Sequence, residues 1–255
     1  MLRVALLAVL LSLALVAAAL ARGLTPTPET AAPTAATDPA PATTERAPAA
    51  PPAPLPPPAP SPPPAAPAPP EPTWPPVRWR ESRSLGLPHA GRLVGGVRLP
   101  REGEHFFTWD PVLKTSPSRP WRRWGTDRLV RVVLRVAREH RGKHPKAPRL
   151  TVGDLSRPGG GDFGKRFGIL GHVSHQNGLD VDVYYPRKDR REKAPRRPGQ
   201  VDGRLAQDLV DRFVAAGAVK VFVGPSLDLR GPRGVVEELV HHDDHMHVRL
   251  RPLRR

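Results

Sequence analysis

The first cluster of residues suited to chemistry lies in residues 171–184, where His172 and His175 precede Asp180 and Asp182. From residue 179 to residue 184 apolar and polar side chains alternate, which is the period of a β-strand. If the apolar set faces a core, both aspartates project from the opposite face, and an Asn-Gly turn at residues 177–178 can fold His175 back towards that face. A histidine and a carboxylate would then converge.

A second cluster lies in residues 241–250, where four of the ten histidines of the chain fall within seven positions. In an extended strand His245, His247 and Arg249 share one face. Zinc accepts imidazole nitrogen and carboxylate oxygen in tetrahedral geometry, and a catalytic site holds the ion with three protein ligands and keeps one position for water. The two clusters together can supply such a set, whereas each by itself is also typical of the solvated face of an edge strand.

The chain before these clusters divides into two segments. Residues 1–21 combine a basic start, an apolar run and a small-residue end, which predicts a secretory signal peptide. The alternative is an uncleaved membrane anchor, because the apolar run approaches the roughly 18 to 20 residues that span a bilayer. Residues 22–77 are rich in Pro, Ala and Thr, with 22 of the 36 prolines between Pro26 and Pro76, and this composition predicts a disordered, partly polyproline linker.

Residues 78–255 remain for one domain with its own core. This segment holds 37 Lys and Arg against 20 Asp and Glu, an excess that predicts peripheral contact with anionic envelope polymers. A GC-rich genome would raise the arginine content without any such function. No nucleic-acid motif accompanies the charge, so a nucleic-acid partner is not expected. The chain has no cysteine, which excludes a disulfide-linked partner and a lipid anchor on cysteine.

Helix and strand patterns alternate irregularly in this domain. One helix is predicted over 128–140, capped by Thr126-Asp127, and another begins at Asp202 and ends at Gly217. Strands are predicted over 149–152 and 219–223. The expected fold is α+β, with a small antiparallel sheet flanked by helices and the zinc site on the face of the sheet. The glycine-rich loop at 158–162 lacks the Lys-Ser/Thr of a phosphate-binding P-loop and opens no obvious helix.

Two strings carry a resemblance to a known family. Ser-His-Gln-Asn-Gly-Leu-Asp-Val-Asp at 174–182 and His-Met-His-Val-Arg-Leu at 245–250 resemble the penicillin-insensitive murein endopeptidases. These belong to a wider group of metallopeptidases that includes lysostaphin, the D-alanyl-D-alanine dipeptidases and the hedgehog signalling domain. The similarity runs from about Ser82, through Gly-Asp-Leu-Ser-Arg-Pro-Gly-Gly at 153–160, to Arg251. Family members carry paired cysteines, and this chain departs from them in having none.

The resemblance implies roles for six residues. His175, Asp182 and His247 correspond to the zinc ligands of the family. His245 corresponds to a general base or transition-state stabiliser beside the metal. His242 and His172 match further active-site histidines.

The resemblance also implies a function, location and substrate. The chain is expected to be a periplasmic or secreted zinc metalloendopeptidase that acts through a metal-activated water. The bond cut would join D-alanine to meso-diaminopimelate, or two diaminopimelates, in peptidoglycan cross-link peptides. Two alternatives stay open: a D,D-carboxypeptidase or dipeptidase on the same zinc site, and a non-catalytic wall-binding domain.

Overall fold

The computed structural model of the protein describes residues 74, 76–168 and 171–252, all within a compact unit that spans Ala66–Arg255. The predicted signal peptide, 1–21, and nearly all of the predicted linker, 22–77, lie outside the described residues. The ten strands are β1 (Arg83–Leu87), β2 (Ala90–Val94), β3 (Val97–Arg98), β4 (Phe106–Thr108), β5 (Trp124–Gly125), β6 (Leu150–Val152), β7 (Asp180–Tyr184), β8 (Ala218–Val223), β9 (Val236–Glu238) and β10 (His245–Leu250). The two α-helices are α1 (Asp127–Lys143) and α2 (Gly203–Ala215).

Both helices begin where their capping residues predict. The hydroxyl oxygen of Thr126 accepts a hydrogen bond from the backbone N–H of Leu129, and the carboxylate of Asp202 accepts one from the N–H of Leu205. Each bond satisfies a donor that the first helical turn leaves without a partner, and such a cap contributes about 1 kcal/mol. The predicted helices are therefore confirmed, and α1 continues three residues beyond the predicted end. Neither of these two helices combines the length and the apolar character that a bilayer crossing requires.

One six-stranded sheet, in the order β4-β6-β7-β10-β8-β9, organises the domain. The four central strands pair antiparallel, but each outer strand is parallel to its neighbour, β4 to β6 and β9 to β8. The predicted α+β class is confirmed, and the sheet is antiparallel across its four central strands but mixed as a whole, because the two outer strands add in parallel. The two outer strands have three residues each, too few for a period-2 pattern to show in the sequence.

The core lies between the two helices and one face of this sheet. Val181 and Val183 of β7 and Val248 of β10 are fully buried and belong to the same apolar cluster as the inner faces of both helices. Each such side chain contributes roughly 1.5–3 kcal/mol when it leaves water. Alternation then sends the intervening residues of β7 and β10 to the opposite face of the sheet, which the helices leave free.

Candidate metal centre

The pairing of β7 with β10 brings the two predicted clusters together. The register places His247 opposite Asp182, His245 opposite Tyr184 and Arg249 opposite Asp180. All of these side chains lie on the face away from the helices, as the alternation in the sequence predicts. Two residues that are 65 positions apart in the chain thus become cross-strand neighbours, with the Nδ1 atom of His247 3.1 Å from the Oδ1 atom of Asp182.

His175 reaches the same place from the loop that precedes β7. Its backbone adopts a left-handed conformation, with φ of 65°, and its N–H donates to a carboxylate oxygen of Asp180 at 3.1 Å. The Nδ1 atom of the ring lies 2.6 Å from the backbone oxygen of Leu155. Nδ1 therefore carries the proton and donates, so the lone pair of Nε2 faces the sheet.

A glycine supports this loop. The backbone of Gly160 passes so close to residue 176 that a Cβ atom would lie 2.1 Å from the carbonyl oxygen of Gln176. The glycine-rich segment thus lets two loops pack together beside the cleft and shows no anion-binding helix terminus. This packing explains Gly160 without the phosphate-binding role that the sequence already disfavoured.

Three ligand atoms form a nearly equilateral triangle. The Nε2 atom of His175 lies 3.1 Å from Nδ1 of His247 and 3.2 Å from Oδ1 of Asp182, and the latter two atoms are 3.1 Å apart. Tetrahedral zinc with bonds of about 2.0–2.1 Å would separate its ligand atoms by about 3.3–3.4 Å. The two nitrogens and one oxygen therefore fit a zinc-sized ion and leave a fourth position towards the cleft.

Asp180 orients His247 from behind. Its Oδ1 atom lies 3.0 Å from Nε2 of His247, and it also accepts a hydrogen bond of 2.6 Å from Nε of Arg249. The proton of the imidazole is thus held on Nε2, which leaves the Nδ1 lone pair for a metal. Such a carboxylate behind a ligating histidine fixes the ring and raises its basicity.

The electrostatics of the triangle favour a positive charge at its centre. Burial lowers the pKa of His175, so this ring is neutral and ready to act as a ligand. Burial alone would also lower the pKa of His247, but the carboxylates of Asp180 and Asp182 outweigh that effect and raise its pKa to about 9. Two buried carboxylates thus hold a proton where a dication would neutralise them more fully, and binding of a metal would release that proton.

His172 lies beside the triangle. Its Nε2 atom is 2.8 Å from Oδ2 of Asp154 and 3.7 Å from Oδ2 of Asp182. With His175 and Asp182 it forms a second His/His/Asp set, whose ligand atoms lie within 4.8 Å of one another. This set is looser than the one with His247, because the His172 ring is hydrogen-bonded to Asp154, a carboxylate that also pairs with the guanidinium of Arg122.

His245 and His242 line the cleft in front of the triangle. The Nδ1 atom of His245 lies 2.6 Å from a carboxylate oxygen of Asp244, and its Nε2 atom is 4.0 Å from Oδ1 of Asp182. Burial alone would lower the pKa of His245, but Asp244 and Asp182 outweigh it, and the pKa is raised. The ring centroid of His242 lies 4.8 Å from that of His245 and 6.3 Å from that of His247. All six predicted site residues thus meet at one cleft of about 530 Å³, with His175 behind its wall.

Three residues of the site had no predicted role. Asp180 was expected on the same face as Asp182, and its position in the alternating strand was the one available signal. Asp154 follows β6, but a single carboxylate after a short strand is a weak indication of function. Arg122 is buried, and nothing in its sequence surroundings predicts its contact with Asp154.

A separate His/His/Asp group, formed by His140, His144 and Asp208, lies between α1 and α2, away from the cleft. The carboxylate of Asp208 already accepts hydrogen bonds from His140 at 2.8 Å, from Lys143 at 2.7 Å and from Arg212 at 2.6 Å. Two of these donors are cations, so a metal dication here would meet positive charge. We interpret the group as a polar clamp between the helices.

Asp208→Ala should therefore lower the free energy of unfolding by about 3 kcal/mol, because it leaves the buried His140 and the partly buried Arg212 without their acceptor. The measurement is urea denaturation followed by circular dichroism. Asp211→Ala, on the exposed side of the same helix, is the matched control and should stay within about 0.5 kcal/mol of wild type. Equal effects of the two substitutions would contradict the clamp.

Comparison with known proteins identifies the family. The model of the penicillin-insensitive murein endopeptidase family matches residues 84–213. Penicillin-insensitive murein endopeptidases of Salmonella heidelberg and Haemophilus influenzae are 26% and 25% identical to this chain, over alignments that cover 67% and 65% of it. The chain spans 66% and 62% of the length of these two relatives.

The family match contains the loop and strand that carry His172, His175 and Asp182, and it ends before β10. The assignment of His242, His245 and His247 therefore depends on their positions in the structure. Since the match covers just over half of the 255 residues, the chain belongs to the family of penicillin-insensitive murein endopeptidases.

Proposed function

We propose that this protein is a zinc-dependent peptidoglycan hydrolase of the cell envelope, periplasmic or secreted, with His175, Asp182 and His247 as the metal ligands. The observation that carries the proposal is the triangle of ligand atoms at 3.1–3.2 Å. In both histidines the other ring nitrogen is engaged by an acceptor, the backbone oxygen of Leu155 for His175 and the carboxylate of Asp180 for His247. Each ring is thus held in the tautomer and orientation that a metal requires.

The residues around the triangle support hydrolysis. A zinc ion, when bound, lowers the pKa of a water to roughly 7 and polarises a carbonyl group. His245 accepts the proton of the attacking water at Nε2, because its Nδ1 donates to Asp244, and then passes the proton to the leaving amine. As an imidazolium, His245 can also stabilise negative charge on the oxygen of the scissile carbonyl. No nucleophilic serine is required, so no acyl-enzyme forms.

The substrate proposed here is the peptide cross-link of peptidoglycan, cut between D-alanine and meso-diaminopimelate or between two diaminopimelates. The relatives are named for action on murein. Two exposed arginines, Arg196 and Arg197, line the same cleft as His245, and this positive charge suits peptides that carry free carboxylates. The complete set of ligands and His245 argues for catalysis and against a domain that only binds the wall.

The test is digestion of purified, cross-linked dimeric muropeptides, followed by mass analysis of the products. The endopeptidase should convert dimers to monomers, and a chelator should stop the reaction until zinc is restored. Release of free D-alanine from dimers that remain linked would instead identify a D,D-carboxypeptidase. Dimers that stay intact with zinc present would overturn the proposed activity.

Asp180→Asn tests whether the hydrogen bond between His247 and the Asp180 carboxylate strengthens metal binding. The substitution removes the charge that holds the proton on Nε2 of His247, so zinc affinity should fall by roughly 10–100-fold. The measurement is competition for zinc with a chromophoric chelator. Urea denaturation of the same sample shows whether the fold persists, and an unchanged affinity in a folded variant would contradict this role of Asp180.

A further inference from the structure

Away from the metal centre, the domain contains a buried arginine, Arg123, that has no carboxylate partner among the described residues. Arg123 is 6% exposed, and its guanidinium donates one hydrogen bond of 2.7 Å to the backbone oxygen of Leu99. Its Nε–H is buried and has no hydrogen-bond partner among the described residues. A buried charged group without compensation is costly and is rarely retained without a partner.

The other buried arginines of the described residues show what is missing. Arg122 pairs with Asp154, and Arg187 pairs with Asp189. Around Arg123 the neighbouring charges are instead positive. Burial, together with the charges of Arg98 and Arg101, lowers its pKa to about 10, so the group is still charged at neutral pH but destabilised by its surroundings.

Arg98, Arg101 and Arg123 line one pocket of about 480 Å³. It is lined by Arg78, Arg80, Arg98, Arg101, Arg123 and Trp124, with two prolines, and among the described residues no carboxylate lines it. Arg80 and Arg98 lie over the Trp124 ring, at 5.6 and 5.9 Å from its centroid, and this contact limits the freedom of both side chains. Arg101 has one weak ion pair outside the pocket, with Glu102 at 3.5 Å.

We propose that this arginine pocket binds a phosphate-bearing anion. Guanidinium groups match phosphate oxygens with paired N–H donors, and several of them can surround one phosphate because it offers more acceptor oxygens and more charge than a carboxylate. Arg123 lines the pocket and adds buried positive charge to its wall, and the exposed arginines supply the N–H donors that an anion can reach.

The pocket is separate from the metal centre. The two share no lining residue, and the neighbours Arg122 and Arg123 line different sites. The proposal therefore does not depend on the proposed function, and its test needs no measurement of hydrolysis.

The experiment titrates the zinc-loaded protein with inorganic phosphate and follows binding by phosphorus NMR line broadening at low salt. Arg98→Gln/Arg101→Gln, two exposed changes, should weaken phosphate binding at least tenfold. Arg135→Gln/Arg138→Gln removes the same charge from exposed positions of α1 outside the pocket and should bind like wild type. Arg123→Gln should also weaken binding, and the double variants keep the test valid if this one fails to fold.

Equal binding by wild type and both double variants would overturn the proposal, as would the absence of binding in the wild type. Phosphate held at the metal centre would be lost in His247→Ala and retained in Arg98→Gln/Arg101→Gln, which would also overturn it. Flotation with phosphatidylglycerol vesicles then identifies the source of the phosphate. Binding to vesicles that depends on Arg98 and Arg101 indicates a lipid headgroup, and binding of free phosphate alone indicates a soluble or polymer-borne group.

Discussion

His247→Ala is expected to reduce the zinc content from about one equivalent per chain to near none, because it removes one of the three proposed protein ligands. The loss should exceed that of Asp180→Asn, which leaves all three ligand atoms in place. His247 also contacts Asp180 and Asp182, so its removal takes away the imidazole that both buried carboxylates contact, although Asp180 keeps its ion pair with Arg249. The measurement is metal analysis after dialysis against trace zinc. Circular dichroism of the same sample shows whether the variant is folded.

Two matched histidine variants make this result specific. His172→Ala should retain zinc if the ligands are His175, Asp182 and His247, and should lose it if His172 takes the place of His247. His144→Ala, in the clamp between α1 and α2, should retain zinc in either case. A His247→Ala protein that keeps its full equivalent, beside a His172→Ala protein that loses it, would show that the looser His/His/Asp set is the true site.

His245→Ala should separate metal binding from proton transfer. Its Nε2 atom is 4.0 Å from Asp182 and its Nδ1 atom is hydrogen-bonded to Asp244, so the ring lies next to the proposed metal ligands and is not one of them in this proposal. The variant should keep its zinc and its fold, while cleavage of dimeric muropeptides falls by roughly a hundredfold or more, the usual effect of losing a general acid or base.

The control for this variant is His89→Ala, which removes an exposed histidine far along the chain from both clusters. It should cleave at the wild-type rate. Asp244→Asn should give an intermediate rate, because the imidazole remains but loses the acceptor that orients it. If His245→Ala cleaves normally, His245 has no catalytic role. If it loses zinc, His245 is a ligand, and the role of general base moves to His242 or His172.

The local features of this fold were readable in the sequence because short-range forces set them. Thr126 and Asp202 predict the starts of α1 and α2, since a capping side chain acts on a backbone group three residues away. The alternation in residues 179–184 and 245–250 predicts two strands with their polar faces aligned. Those faces predicted that a histidine and a carboxylate would converge, and the resemblance of two strings implied the set His175, Asp182 and His247, whose nearest nitrogen and oxygen atoms lie 3.1–3.2 Å apart.

What the tertiary structure alone decided depends on contacts between distant segments. The parallel outer strands β4 and β9 are too short to show a period, and only their neighbours define them. The orientation of His247 by Asp180, the hydrogen bond of His172 to Asp154, and the lack of a carboxylate partner for Arg123 among the described residues all depend on which groups share a low-dielectric space. Sequence spacing does not encode that, because the energy of a buried charge is set by the groups that surround it in three dimensions.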